Sequence, residues 1–269
     1  MEFAEGPAVR MALAVATAEL RDAGCDTPRL DAELLLADAL GATRTQLHLA
    51  PERELTTRES DRFAQLLARR RAREPVAYVL GTRAFRYIEL QVDDRVLVPR
   101  PESEGLVEAA LSLPSGARVV DVGTGSGAIA LALKHERPDL EVLASDVSAD
   151  ALAVARANAR RLGLDVTFVQ GDLLDAVEGP LDAVLSNPPY VARDDLGALQ
   201  PEVTAEPDVA VFGGQDGFDV VRRLVPAALA RAELVAIEVG MGMADAVGAM
   251  LRAAGATAVE VERDLAGIE

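Results

Sequence analysis

Apolar residues between Ala8 and about Arg73 recur every three or four positions, as in Leu30, Leu34 and Leu35 and again in Phe63, Leu66 and Leu67. Side chains at that spacing share one helix face, so the pattern predicts amphipathic helices. Breaks at Gly24 to Pro28, Gly41 and Pro51 divide the stretch into a small bundle of short helices. Residues 76–98 are rich in valine, tyrosine, phenylalanine and isoleucine, with Gly81 and Asp93-Asp94 at turn-like positions, which predicts a hairpin-like linker. From Ala117 onward, the strand-like runs ARVVDVG, EVLASD, VTFVQGD, LDAVLSN, LVAIEV and ATAVEVE alternate with helical patterns. Such alternation predicts an α/β fold built on a doubly wound, Rossmann-like parallel sheet. The expected division is a helical bundle over 1–74, a β-hairpin linker over 75–104 and the sheet domain over 105–269.

Composition narrows the setting. Half of the 269 residues are apolar, enough for a substantial core. No apolar run approaches the roughly 20 residues of a membrane-spanning helix, and the first residues lack the basic-then-apolar order of a secretory signal. Cys25 is the single cysteine, which excludes an intrachain disulfide and a cysteine-built zinc site. A cytoplasmic monomer with no bound metal is expected. The net charge of -17 disfavours DNA as a partner, because nucleic-acid affinity comes largely from basic side chains displacing phosphate counterions. The run Arg69-Arg70-Arg71-Ala72-Arg73 reads either as a solvated helix end or as a contact patch for an acidic or RNA-bearing partner.

Candidate chemistry begins at Asp121-Val122-Gly123-Thr124-Gly125-Ser126-Gly127, which follows a buried strand and opens a helix. Glycines there permit a tight turn and close ligand approach, and the helix start is expected to present unpaired N–H groups. A dinucleotide loop is similar, but the G-x-G-x-G spacing led by Asp121 favours S-adenosylmethionine. Asp146, at the end of the next strand, is placed to accept ribose hydroxyls, or else acts only as a capping acid; Ser148 beside it suits a helix cap. Asp172 ends the third strand, where its carboxylate can accept the adenine amine while Leu173 offers a backbone N–H or an apolar surface. All three groups fall on the carboxyl edge, where open α/β sheets bind ligands.

Asn187-Pro188-Pro189-Tyr190 ends the fourth strand. A carboxamide or exocyclic aromatic amine has a delocalised lone pair and attacks a methyl sulfonium poorly unless its N–H bonds are held. The Asn187 side-chain oxygen and the Pro188 carbonyl can accept those two N–H bonds, the prolines fix the backbone, and Tyr190 can pack on a planar group. No strong base is needed, because the proton becomes acidic once the nitrogen is methylated. Only His48 and His135 exist, and both read as structural or surface residues.

DVGTGSGAIALAL, SDVSADAL, SNPPY, EPDVAVFGGQDG and the terminal DLAG resemble blocks of the release factor glutamine methyltransferase family, and the similarity covers nearly the whole chain. The segment Val96-Leu97-Val98-Pro99-Arg100-Pro101-Glu102-Ser103-Glu104 is similar to that family's proline-arginine-proline-glutamate linker. The resemblance implies methyl transfer from S-adenosylmethionine, yielding S-adenosylhomocysteine, to the glutamine side-chain nitrogen of the Gly-Gly-Gln motif in peptide-chain release factors. It also implies a bundle that helps hold the release factor and a seven-stranded sheet. On it Gly123, Thr124, Gly125, Ser126, Gly127, Asp146, Asp172, Leu173 and Asn187 would meet the cofactor. Asn187 to Tyr190 would hold the glutamine, with Arg100 and Glu102 shaping the wall. Ser103 stands where threonine is usual, and Met241-Gly242-Met243 replaces a more polar stretch. The chain stops at Ile268-Glu269, about where a last antiparallel strand should begin; a missing strand would expose a sheet edge, so either rearranged pairing or a covering partner is expected. The alternatives are an N6-adenine or N4-cytosine methyltransferase, or a homologue that binds cofactor without turnover.

Overall fold

The computed structural model describes residues 6–263. In chain order these form α1 (Val9–Asp22), α2 (Pro28–Leu40), α3 (Arg44–Leu49), α4 (Thr57–Arg71), α5 (Val76–Leu80), β1 (Thr82–Phe85), β2 (Ile88–Gln91), α6 (Glu104–Ala110), β3 (Arg118–Val122), α7 (Ala128–Glu136), β4 (Glu141–Asp146), α8 (Ala149–Leu162), β5 (Thr167–Gln170), β6 (Ala183–Ser186), α9 (Pro201–Thr204), α10 (Asp208–Val211), α11 (Asp219–Leu229), β7 (Leu234–Ile237) and α12 (Ala244–Ala253). They divide into two compact units. One comprises the residues up to Gly81 together with Pro201–Ala205; the other comprises Thr82–Gln200 and the residues from Glu206 onward.

The first unit is the helical bundle. Leu13 and Leu20 of α1, Leu35 and Leu36 of α2, and Phe63 and Leu66 of α4 interlock in one core. Each such side chain removed from water contributes roughly 1.5–3 kcal/mol. Capping boxes start α3 (Thr43 with Gln46) and α4 (Thr56 with Glu59), and Gly41 ends α2 in the left-handed region at φ 60°. The arginine run is a solvated helix end only in part: Arg69 and Arg71 are exposed, whereas Arg73 is half-buried. Arg70 is buried, and its Nε donates to Asp31 Oδ2 at 2.7 Å while its Nη1 donates to Glu202 Oε1 at 2.5 Å. Arg73 donates to both oxygens of Glu202. Arg69 bonds Glu74 and the carbonyls of Tyr78 and Val79, and Arg71 pairs with Glu19. Burial would raise the Glu202 carboxyl, but the hydrogen bonds from Arg73 and Arg70 hold it at about 2.

The second unit carries a parallel five-stranded sheet in the order β5-β4-β3-β6-β7. Doubly wound connections put helices on both faces, so β3 and β6 read as nearly continuous apolar runs and are almost wholly buried. One face packs Val120, Val122, Leu143 and Val184 against Leu224 of α11. The hairpin is narrower than its composition suggests: Val76–Leu80 is helical and capped by left-handed Gly81, and only Thr82–Gln91 pairs as β1 with β2. Among the described residues the sheet has five strands rather than seven, and β7 pairs with β6 alone. ATAVEVE has strand composition, yet a strand exists only through its hydrogen-bonded ladder, and residues 256–263 join none. The DLAG block and the end of the chain at Ile268-Glu269 lie outside the described residues.

Candidate active site

Because β4 and β6 both flank β3 in register, the strand order reverses at β3, and the carboxyl ends of these three strands are where open α/β sheets bind ligands. The loop Gly123 to Gly127 leaves β3 there, Asp146 ends β4, and Asn187 follows β6. Gly123 and Gly125 hold φ of 73° and 55°, with open space where a Cβ would stand. At Gly127 a Cβ would lie 2.9 Å from Leu131 Cδ1 and 3.3 Å from the Ala155 Cβ, so this glycine lets α7 settle close to α8.

The N–H groups of Gly123, Thr124, Gly125 and Gly127 in the loop are already paired. Gly123 and Thr124 donate to the Ser145 carbonyl, Gly127 donates to that of Thr124, and Gly125 donates to Asp146 Oδ2 at 2.9 Å. Asp121 stands behind the start of α7, where its Oδ2 accepts from the Ala130 N–H and, at 2.6 Å, from the Thr124 hydroxyl. A carboxylate in that position and N–H groups already committed make a poor cradle for pyrophosphate. The same loop suits a cofactor with no phosphate, so the residues present fit S-adenosylmethionine better than a dinucleotide. Asp121 Oδ1 is buried without a hydrogen-bond partner. Burial pushes the Asp121 carboxyl up to about 7, against the pull of Thr124 and Ala130.

Not every expected cofactor residue faces outward. Thr124 and Ser126 are buried within the loop. Asp146 is half-buried; its Oδ1 accepts from the Ser148 N–H at 2.8 Å while Ser148 caps α8, so the carboxylate braces the loop as well as standing at the strand end. Burial raises its carboxyl, and the N–H groups of Ser148, Gly125 and Val147 oppose that shift. Asp172 is exposed, and its Oδ2 is paired with Arg223. Leu173 holds φ 52°, an unusual conformation for a branched side chain, and its carbonyl accepts from the Ser145 hydroxyl at 2.9 Å.

The Asn187 amide is part of a chain of hydrogen bonds. Ser186 of β6 pairs with Ile237 of β7, and the Glu238 N–H donates to the Ser186 carbonyl at 3.0 Å. Parallel register therefore sets the next residues, Asn187 and Glu238, side by side. Asn187 Nδ2 donates to Ser103 Oγ at 2.9 Å, and Ser103 Oγ donates to Glu238 Oε2 at 2.6 Å. With Nδ2 committed, Oδ1 is what this side chain can offer an incoming N–H. Pro188 is buried and Pro189 and Tyr190 are half-buried. A Cβ on Gly213 would lie 2.4 Å from the Pro189 carbonyl oxygen, and one on Gly217 would lie 2.3 Å from that of Tyr190. Together with the Val191 and Gly213 backbone bonds, the GGQDG segment thus clamps the backbone of the tetrapeptide. Gly240 lies under the Tyr190 ring, where a Cβ would come within 2.9 Å of Cδ2. Burial raises the Tyr190 phenol, and Glu238 pushes the same way.

Arg100 Nη2 reaches Glu206 Oε2 at 2.5 Å, and Glu206 Oε1 accepts the Val98 N–H at 3.0 Å. Glu102 is exposed, while its neighbour Ser103 points inward. Ser103, Glu206, Glu238, Gly213 and Gly240 are thus residues whose parts in the site the sequence did not disclose. The EPDVAVFGGQDG block was a signal of a role, but it does not name its contact.

Comparison with known proteins follows the same lines. Residues 11–81 match the PrmC N-terminal domain, and residues 103–205 match the methyltransferase small domain. The release factor glutamine methyltransferase of Rhodospirillum rubrum is 43% identical over 258 residues, covering 93% of this chain and 79% of the relative. The protein of the same name from Deinococcus radiodurans is 42% identical over 267 residues, covering 97% of this chain and 96% of the relative. That from Moorella thermoacetica is 42% identical over 257 residues, or 92% of this chain and 91% of the relative. With identity sustained over so much of both sequences, the chain belongs to the release factor glutamine methyltransferase family.

Proposed function

We propose that this chain transfers a methyl group from S-adenosylmethionine to the side-chain amide nitrogen of the glutamine in the Gly-Gly-Gln motif of peptide-chain release factors. The observation that carries the site assignment is the Asn187 carboxamide, whose Nδ2 is held by Ser103 so that Oδ1 remains as an acceptor at the end of β6. When bound, the cofactor supplies an electrophilic sulfonium methyl. Asn187 Oδ1 and the Pro188 carbonyl accept the two N–H bonds of the glutamine amide and orient its nitrogen. Tyr190 packs on the planar amide, and the clamped Pro189 backbone keeps the acceptors in place before the substrate arrives. The proton leaves after transfer, when the nitrogen is cationic, so no side chain needs to act as a strong base.

In this reading Gly123 to Gly127, Asp146, Asp172, Leu173 and Asn187 hold the cofactor, and Arg100 and Glu102 form the substrate wall. The bundle of residues 1–74 grips the release factor, residues 75–104 link it, and residues 105–269 carry the chemistry. The setting is the cytoplasm and the working form a monomer. In support, no described helix is long and apolar enough to cross a membrane. The net charge of -17 speaks against nucleic acid as the acceptor. The test is mass spectrometry of release factor incubated with enzyme and cofactor. One methyl on the tip glutamine is expected with the wild type and little with Asn187→Ala; equal methylation by the variant removes Asn187 from its role.

A further inference from the structure

We propose that Ser103 and Glu238 are positioning residues which decide which end of the Asn187 carboxamide faces the substrate. The inference rests on the acceptor role of Asn187 given above. A carboxamide has a donor end and an acceptor end of nearly equal size, and packing alone hardly distinguishes them. Only the acceptor end can receive a glutamine N–H. The donor end would meet the substrate's own NH2 donor to donor.

The neighbours supply the missing polarity. Glu238 as a carboxylate can only accept, so the single proton of the Ser103 hydroxyl is drawn to Glu238 Oε2 at 2.6 Å. Ser103 Oγ is then left as an acceptor, and it takes a proton of Asn187 Nδ2 at 2.9 Å. Negative charge at one end of the chain therefore fixes the direction of every bond in it, and Oδ1 is turned to the other side. Ser103 is 4% exposed, so water does not compete for its hydroxyl. The arrangement is built from two separate parts of the chain. Glu238 is set beside Asn187 by the β6–β7 register, and Ser103 arrives on the 3-10 turn Pro101–Ser103 after the linker.

The charged groups acting on Glu238 are Arg100 and Glu102 from the linker; Tyr190 after β6 feels its charge in turn. Burial raises the Glu238 carboxyl; the hydrogen bond from Ser103 opposes that, Glu102 adds to it, and Arg100 and the Asn187 amide oppose it. The net direction is upward, so the group takes a proton above the ordinary carboxylate range. A protonated carboxyl carries a donor of its own and no longer compels the Ser103 hydroxyl to point toward it. Turnover should then fall as pH drops through this titration.

The test uses the full chain, S-adenosylmethionine and release factor, with Glu238→Gln, Ser103→Ala, Ser103→Thr and Asn187→Ala. Glu238→Gln keeps the shape but can donate as well as accept, so kcat should fall by about 10²-fold. The fall in kcat on the acid side should disappear with it, and the melting temperature should be unchanged. Ser103→Ala should lower kcat, and Ser103→Thr, which restores the hydroxyl, should recover it to within about twofold. If Glu238→Gln retains wild-type kcat and its acid fall while Asn187→Ala is inactive, the relay is wrong and the acceptor reading stands. If Asn187→Ala itself turns over normally, the acceptor reading fails first. A melting temperature lowered in step with kcat in Glu238→Gln would mark a merely structural role and also overturn the proposal.

Discussion

Asn158, buried on α8, takes both backbone groups of Gln91: its Oδ1 accepts the Gln91 N–H at 2.8 Å and its Nδ2 donates to the Gln91 carbonyl at 2.9 Å. The second Nδ2 proton goes to the Ser126 carbonyl at 3.0 Å, so one side chain ties the hairpin to the glycine loop. Asn158→Leu would leave three backbone groups unpaired, at about 1–3 kcal/mol for each that stays buried. Urea unfolding should show a loss of about 3 kcal/mol or more, and calorimetry should show weaker S-adenosylmethionine binding. Unchanged stability would mean that water replaces the amide at no cost.

Gly213 is predicted to tolerate no side chain. A Cβ there would sit 2.4 Å from both the Pro189 and Gly217 carbonyl oxygens, and backbone cannot step aside as a flexible side chain can. Gly213→Ala should destabilise by about 1–3 kcal/mol and lower kcat by displacing the tetrapeptide. Gly105, on α6 with open space around its Cα, supplies the control: Gly105→Ala should be neutral or gain about 0.5–1 kcal/mol in thermal melts. Equal melting temperatures for the two variants would contradict the clamp.

Asp121 should leave a mark on the pH dependence of stability. Its carboxyl ionises at about 7 in the folded chain, against about 3.9 when unfolded. Between those values the folded state holds a proton that the unfolded state has released. Stability from this group therefore declines as pH rises from about 4 to about 7 and is level on either side. Asp121→Asn cannot titrate, and denaturant melts from pH 4 to 8 should show a shallower decline than in the wild type. Parallel curves would place the Asp121 titration outside this window.

Arg70 is the most consequential charge of the helical unit. Asp31 and Glu202 both bond its buried guanidinium, so Arg70→Ala leaves two acids in a partly dry site with a partner removed, at about 3–5 kcal/mol. Arg71→Ala, which loses a half-exposed pair with Glu19, should change stability by less than about 1 kcal/mol. Differential scanning calorimetry of the two variants checks the contrast, and similar shifts would show that burial of Arg70 carries no special weight.

Periodicity made the elements legible, because helices and parallel strands impose their spacing on neighbouring residues. It located β3, β4, β5, β6 and β7 and the loop at Gly123 to Gly127. It failed at ATAVEVE, since composition shows what can be a strand and pairing decides what is one. The arginine run was legible only in part: Arg69 and Arg71 are exposed, but Glu202, which lies far along the chain, bonds Arg70 and Arg73. Asn187 and Asp146 announced themselves by position at strand ends. Ser103 and Glu238 did not, because their significance lies in which proton points where, and only the register of β6 with β7 brings that into view.

Pro201–Ala205 belongs to the helical unit although some 120 residues of the sheet unit separate it from Gly81. No single scission can therefore release that unit whole. A piece ending at residue 81 would keep the Arg70–Asp31 bond but would forfeit the carboxylate that joins Arg70 to Arg73. Swapping the bundle between relatives should accordingly succeed only when this distant stretch is transplanted along with it.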